Sequence, residues 1–388
     1  MRVTSLGLHG FRNLEPVRLE APARLTVIVG ENGQGKTNLI EAIYCLATGK
    51  PLRGGRLPEI VNWEEKGCRI LGSVEEEVAK SMEVQVRSGR RLLMLDSKAS
   101  VRLERYTKVL KVVAFTPDDL QVVKGSAENR RKWLDRAVFT RNEQYASVHR
   151  TFRRALRSRN RLLRKGKDTG RVPEELEAFD EAVAAAGARL WLGRIGFVEE
   201  MARLIAERFD TISRQGASLE ISYQSDLLRE QDVSTAGVSR VDLEKCLRVG
   251  MRKRRRSDLA RGFTTAGPQV DDLAMKLSGH DLRTFGSQGQ QRAAVLALKV
   301  AEIENLRLRL RRTPVLLLDD VSSELDPGRN AHLLGYLAGF PGQVWMTTTD
   351  PQLASAGQGP EARCLTVEDG KVSGEGVRSL EISPTCTW

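Results

Sequence analysis

The stretch Thr26-Val27-Ile28-Val29-Gly30-Glu31-Asn32-Gly33-Gln34-Gly35-Lys36-Thr37 decides the fold. Its first four residues are all β-branched and predict a short strand. The next eight spell GxxxxGKT, and beyond them Leu39, Ile40, Ala42, Ile43 and Leu46 recur at helical spacing. Strand, glycine-rich loop and helix in that order let successive backbone N–H groups curl around phosphates at the positive end of a helix. In this reading Gly30, Glu31, Asn32, Gly33, Gln34 and Gly35 form the cradle and Lys36 reaches the β and γ phosphates of ATP. Thr37 offers its hydroxyl to Mg²⁺, an octahedral ion that prefers oxygen ligands.

Far along the chain, Pro314 precedes Val315-Leu316-Leu317-Leu318-Asp319-Asp320. An apolar run of this length predicts a buried parallel strand, and two carboxylates at its end face the ligand side of an open α/β sheet. Asp319 is the expected Mg²⁺ carboxylate, bound directly or through water, and Asp320 the group that orients or deprotonates the attacking water. The predicted fold class is therefore α/β.

Between these motifs the chain is strongly basic. From Ser126 to Lys167 there are fourteen Lys or Arg against three acids, and from Lys245 to Arg256 seven basic residues and no acid. The whole protein carries 62 Lys plus Arg and 50 Asp plus Glu, net +12, so the positive charge is concentrated in these two segments. Both have helical periodicity. A break at Gly166–Pro173 and a second helical run from Glu174 to about Phe209 predict an antiparallel helical arm. Like charges at i,i+4, such as Arg150 with Arg154, oppose helix formation unless a polyanion neutralises them. The expected DNA contacts are Arg130, Arg131, Arg153, Arg154, Arg157, Arg161, Arg254 and Arg255. Aromatics are only 5%, which favours contact with the DNA backbone over base stacking.

Composition excludes several classes. Five scattered cysteines with no CxxC pair imply neither a zinc site nor a disulfide framework. No run of 18 apolar residues and no secretory apolar stretch at the N-terminus point to the cytoplasm.

Two further segments give the motifs a family setting. Phe285-Gly286-Ser287-Gln288-Gly289-Gln290-Gln291-Arg292 precedes a helical run, Ala293 to Leu310, and resembles the signature of ABC-type ATPases. Ser322-Ser323-Glu324-Leu325-Asp326, after the acidic strand, resembles their D-loop. With Val344-Trp345-Met346-Thr347-Thr348-Thr349-Asp350 following, the order matches the SMC and RecF branch, as does Leu8-His9-Gly10-Phe11-Arg12-Asn13-Leu14 near the N-terminus. The insert, about 130 residues, is too short for an SMC coiled-coil rod. Phe115–Gly125, Asn129–Asp135 and Thr265–Leu273 look like RecF segments, although family members commonly carry His and Arg where this chain has Gln269 and Val270.

The resemblance implies an ABC-type ATPase head, with a mixed or parallel sheet and flanking helices, split into residues 1–125 and 258–388 around a mostly helical arm, 126–257. It implies that Arg12, Asn13 and Thr349 lie near the nucleotide, and that Ser287 and Gly289 bind the γ-phosphate held by a second copy, giving an ATP-dependent homodimer on DNA. It also implies recombinational repair and replication, RecO and RecR as mediator partners, recombinase loading at gaps and SOS induction. Asp320 in place of Glu, and Thr349 in place of a switch His, imply slow hydrolysis. A transporter ATP-binding subunit and an ATPase-nuclease are the alternatives. The first lacks its His here, and no acidic nuclease cluster follows the ATPase motifs.

Overall fold

The structure is a computed structural model and describes residues 1–20, 23–53, 55–75, 78–99, 101–213, 217–320, 327–349 and 361–380. Its strands, in chain order, are Arg2–His9 (β1), Val17–Glu20 (β2), Leu25–Val29 (β3), Gly67–Glu75 (β4), Lys80–Arg87 (β5), Arg90–Leu95 (β6), Val112–Phe115 (β7), Leu219–Gln224 (β8), Asp272–Leu277 (β9), His280–Asp281 (β10), Val315–Asp319 (β11), Val344–Thr348 (β12), Ala362–Glu368 (β13), Lys371–Gly374 (β14) and Val377–Ser379 (β15). The chain forms two compact units, residues 1–119 with 303–388, and residues 120–302.

The first unit holds two sheets. One runs β14-β13-β3-β12-β11-β7, parallel except for the β13–β14 hairpin, with β3 between β12 and β13 and β11 between β12 and β7. Every residue of β11 and β12 is buried, as expected of strands covered on both faces. The other, β15-β2-β1-β4-β5-β6, is antiparallel throughout. Helix Lys36–Thr48 touches strands of both sheets and is buried nearly all round, Leu39, Ile40, Ala42, Ile43, Cys45 and Leu46 included. Such a helix forms an interior layer, since no polar stripe is left to face water.

The second unit packs helices Ala127–Arg141, Tyr145–Thr169, Leu176–Ser213 and Arg240–Arg261 with the antiparallel sheet β10-β9-β8. Helix Gln288–Leu310 begins in it, and the division at residue 302 falls within that helix. The unit reaches beyond the 126–257 of the sequence reading because β8 pairs with β9 across some fifty intervening residues, which brings the segment before Ser287 into the same body.

The helical pattern differs from expectation in two places. The basic run is split at Asn142, whose backbone is extended and whose side-chain oxygen accepts the Gln144 N–H at 3.0 Å, a local bond that competes with helix. Gly166 does not end the helix. The chain remains helical to Thr169 and stops at Gly170, in the left-handed region. Gly166 is small for packing, since a Cβ there would lie 2.7 Å from Leu259 Cδ2 and 2.9 Å from the Arg171 carbonyl.

Candidate functional site

At two of its glycines the loop after β3 meets neighbours that leave no room for a side chain. At Gly30, with φ of 150°, a Cβ would sit 2.3 Å from the carbonyl of Val367 on adjacent β13. At Gly35, the helix N-cap with φ of 113°, it would meet Asn13 Oδ1 at 2.9 Å. The β13–β14 turn braces the loop from outside. Gln34 accepts the Gly370 N–H on its carbonyl at 3.1 Å and the Asp369 N–H on its side-chain oxygen.

Lys36 is buried, and Nζ donates to the carbonyls of Gly30 and Glu31, both at 2.7 Å. Burial lowers its pKa, opposed by Asp320, Asp319 and Glu31. Thr37, in the first helical turn, donates its hydroxyl to Asp319 Oδ1 at 2.6 Å. Asp319 ends β11 and accepts a second bond on the same oxygen from Thr347 of β12 at 3.0 Å. Burial pushes the Asp319 carboxyl up, while the Thr37 and Thr347 hydroxyls and the Arg53 cation pull it back down. Thr347 also accepts the backbone N–H of Asp320 at 2.9 Å, fixing a residue whose φ of 47° is unusual outside glycine. A hydroxyl beside a carboxylate supplies hard oxygen donors of the kind Mg²⁺ takes. Parallel pairing of β3, β12 and β11 thus unites residues more than 280 positions apart.

Asn13 braces the loop, donating to the Gln34 carbonyl at 3.3 Å and accepting from Asn38 at 2.7 Å. The Arg12 guanidinium lies against Glu41, with Nε and Nη2 each 2.9 Å from Oε2. Thr349 is exposed just past β12. The D-loop residues Ser322–Asp326, and Asp350, lie outside the described residues. Glu41, Arg53 and Thr347 were not singled out from sequence. For Glu41 the signal was present, a single acid inside an otherwise apolar helical run.

In the second unit, Ser287 is exposed and caps helix Gln288–Leu310. Its hydroxyl accepts the Gln290 N–H at 3.2 Å, and its own N–H donates to Gln290 Oε1 at 2.8 Å, a reciprocal capping box. Gly289 follows in the first turn. Of the eight arginines expected at DNA, Arg153, Arg154, Arg157 and Arg161 are exposed on helix Tyr145–Thr169. The other four are engaged within the unit. Arg130 is buried, with Nε 2.6 Å and Nη2 2.8 Å from the two Asp272 oxygens. Arg131 donates to the Asp271 carbonyl at 2.6 Å, Arg254 to Glu230 at 2.6 Å and Arg255 to Asp180 at 2.9 Å. Arg159, inside the basic run, is fully buried between Asp180 and Asp258, each at 2.7 Å. Gln269 turns back onto the carbonyl of Ala266 at 2.8 Å, and Val270 is half exposed.

A glycine-rich loop on a central parallel strand, a buried acid at the end of β11 bonded to the first turn of the loop helix, and an antiparallel sheet beyond that helix define an ABC-type P-loop ATPase of the SMC kind. The family model for the RecF/RecN/SMC N terminal domain matches residues 2–360. The DNA replication and repair protein RecF of Myxococcus xanthus (strain DK1622) is 46% identical over 378 residues, 96% of this chain and 97% of that protein. The chain belongs to the RecF family. A solved structure of the recombination mediator protein RecF with ATP superposes with a TM-score of 0.84 at 30% identity, over 96% of this chain and 97% of that one. An Smc head bound to the C-winged helix domain of ScpA shares the fold, with a TM-score of 0.53 at 16% identity over 98% of each chain. Among the described residues no helix is long and apolar enough to cross a membrane.

Proposed function

We propose that this protein is an ATP-switched, DNA-binding dimer of recombinational repair and replication in the bacterial cytoplasm. The observation that carries the reading is the Thr37–Asp319–Thr347 cluster beside buried Lys36, an arrangement with the donors a Mg²⁺-nucleoside triphosphate needs. Lys36 exchanges its two loop carbonyls for β and γ phosphate oxygens, and the loop N–H groups hold the remaining charge. Thr37 and Asp319 would hold Mg²⁺, which neutralises phosphate charge when bound. Asp320, fixed through Thr347, orients water at the γ-phosphate. Its short side chain, with Thr349 where a histidine would assist, supports slow turnover.

Exposed Ser287, the cap of helix Gln288–Leu310, supports completion of the site by a second copy. Its hydroxyl and the first amides of helix Gln288–Leu310 meet the γ-phosphate of the partner's nucleotide, so the dimer persists only while that phosphate does. Dimerisation places the exposed arginines of the two copies around DNA, and hydrolysis releases it. Mediator proteins of the RecO and RecR type are the partners this reading assigns, with recombinase loading at gaps and SOS induction as the outcome. Light scattering after gel filtration tests it. ATP with duplex DNA converts the wild type to a dimer, and Ser287→Arg prevents the conversion. A variant that dimerises as readily as wild type would remove the trans-site from the mechanism.

A further inference from the structure

Helix Arg240–Arg261 ends at Gly262, which lies in the left-handed region with φ of 76°. The Gly262 N–H donates to the carbonyls of Asp258 at 2.8 Å and Leu259 at 3.2 Å. The glycine packs on helix Tyr145–Thr169, where an added Cβ would lie 3.4 Å from Arg164 Cγ and 3.5 Å from Lys167 Cδ. Two residues on, Thr264 is buried and tied to the same helix. Its backbone N–H and its hydroxyl donate to Asn160 Oδ1 at 2.9 and 2.6 Å, and the hydroxyl accepts Arg159 Nη1 at 2.7 Å. Between these two anchors stands Phe263, 47% exposed.

A single apolar side chain on a surface is ordinary, so exposure alone carries nothing. Two further features accompany it here. The backbone on both sides is held, so a ligand can meet the ring without first ordering a loop. The surroundings are cationic, since Arg261 precedes the turn and the stems of Arg164 and Lys167 line its glycine. All three are exposed, and none has an acid paired to it among the described residues. An apolar pocket on a protein partner would have to take up that charge as well. A nucleic acid strand offers phosphates to the cations and a flat ring face to the phenyl group.

We propose that Phe263 is a base-stacking site, on which an unpaired base lies while Arg164, Lys167 and Arg261 hold the neighbouring phosphates. The inference rests on the reading that this unit binds DNA, and it adds which DNA. Bases inside a duplex already have both faces stacked, so only an unpaired base gives the phenyl ring a free face without the cost of unstacking. The low aromatic content of the chain is no obstacle, because a contact of this type needs one ring at a fixed place among cations.

Fluorescence anisotropy on the full chain with a non-hydrolysable ATP analogue tests this. The probes are labelled oligo-dT and an abasic strand of equal length, which keeps the phosphates and lacks the bases. Wild type is expected to bind oligo-dT about tenfold more tightly than the abasic strand. Phe263→Ala and Phe263→Leu should lose that preference by weakening oligo-dT alone, with the slope of log K against log salt concentration unchanged. Phe263→Trp should retain it, and the contrast between Leu and Trp separates a ring face from apolar bulk. Arg164→Ala should weaken both strands alike and flatten the slope by about 0.7. A wild type that binds both strands equally, or a folded Phe263→Ala that keeps the preference or weakens both strands by the same factor, would overturn the proposal and leave DNA binding by this unit standing. A wild type that binds neither strand would remove the DNA reading itself, and the stacking site with it.

Discussion

Replacing Arg153, Arg154 and Arg157 with Ala should change how salt affects DNA binding by an amount that can be worked out beforehand. All three are exposed on one helix, whereas Arg159 two residues on is buried between carboxylates and contributes no surface charge. Each side chain that neutralises a phosphate adds about 0.9 to the slope of log K against log salt concentration. Three lost contacts therefore flatten that slope by about 2.7 for one copy, and by about 5.4 when both copies of a dimer lose them. For one copy, the rise from 50 to 200 mM salt then costs the variant about 40-fold less affinity than it costs wild type. Fluorescence anisotropy of a labelled duplex across that range, with a non-hydrolysable ATP analogue, measures both slopes. Arg130→Ala is the control, since its guanidinium belongs to Asp272, and its slope should match wild type. A triple variant that folds normally yet keeps the wild-type slope would refute the reasoning and place the DNA contacts elsewhere.

Three further changes have definite expected outcomes. Arg159→Met leaves buried Asp258 with Thr265 and no cation, and Asp180 with Arg255 alone, and should remove about 3–5 kcal/mol from urea unfolding; a loss below about 1 kcal/mol would mean that those remaining partners suffice. Gly35→Ala forces a side chain into a left-handed backbone beside Asn13 and should weaken fluorescent ATP binding by about tenfold or more, with an unchanged Kd counting against the loop geometry. Asp271 is held at about 6 by burial, despite bonds from Trp191 and Tyr223. Between about pH 4 and 6 the folded protein thus binds a proton that the unfolded chain does not, so stability falls as pH rises through that window, by up to about 3 kcal/mol. Asp271→Asn keeps an acceptor for both donors and should lose that slope, whereas a variant retaining it would assign the proton to another group.

What could be read from sequence, and what could not, follows from how each piece of chemistry is carried. The phosphate loop is backbone chemistry, written in adjacent residues, and a strand buried on both faces announces itself as an unbroken apolar run, so Gly30–Thr37 and Val315–Asp319 were legible without any partner. Thr347 was not, because its role exists only where β12 lies between β3 and β11. The basic helices show the same divide more sharply. Arg153 and Arg159 are indistinguishable in composition and lie on the same helix, yet one faces water and the other is neutralised by Asp180 and Asp258, 21 and 99 residues away. Arg130 is likewise committed to an acid 142 residues later. A count of basic residues along a segment therefore overstates the charge offered to a polyanion wherever tertiary structure supplies acids from elsewhere in the chain. Exposed and with no acid paired to them among the described residues, Arg153, Arg154, Arg157 and Arg161 belong to the part of the cluster whose charge folding leaves for a partner to neutralise.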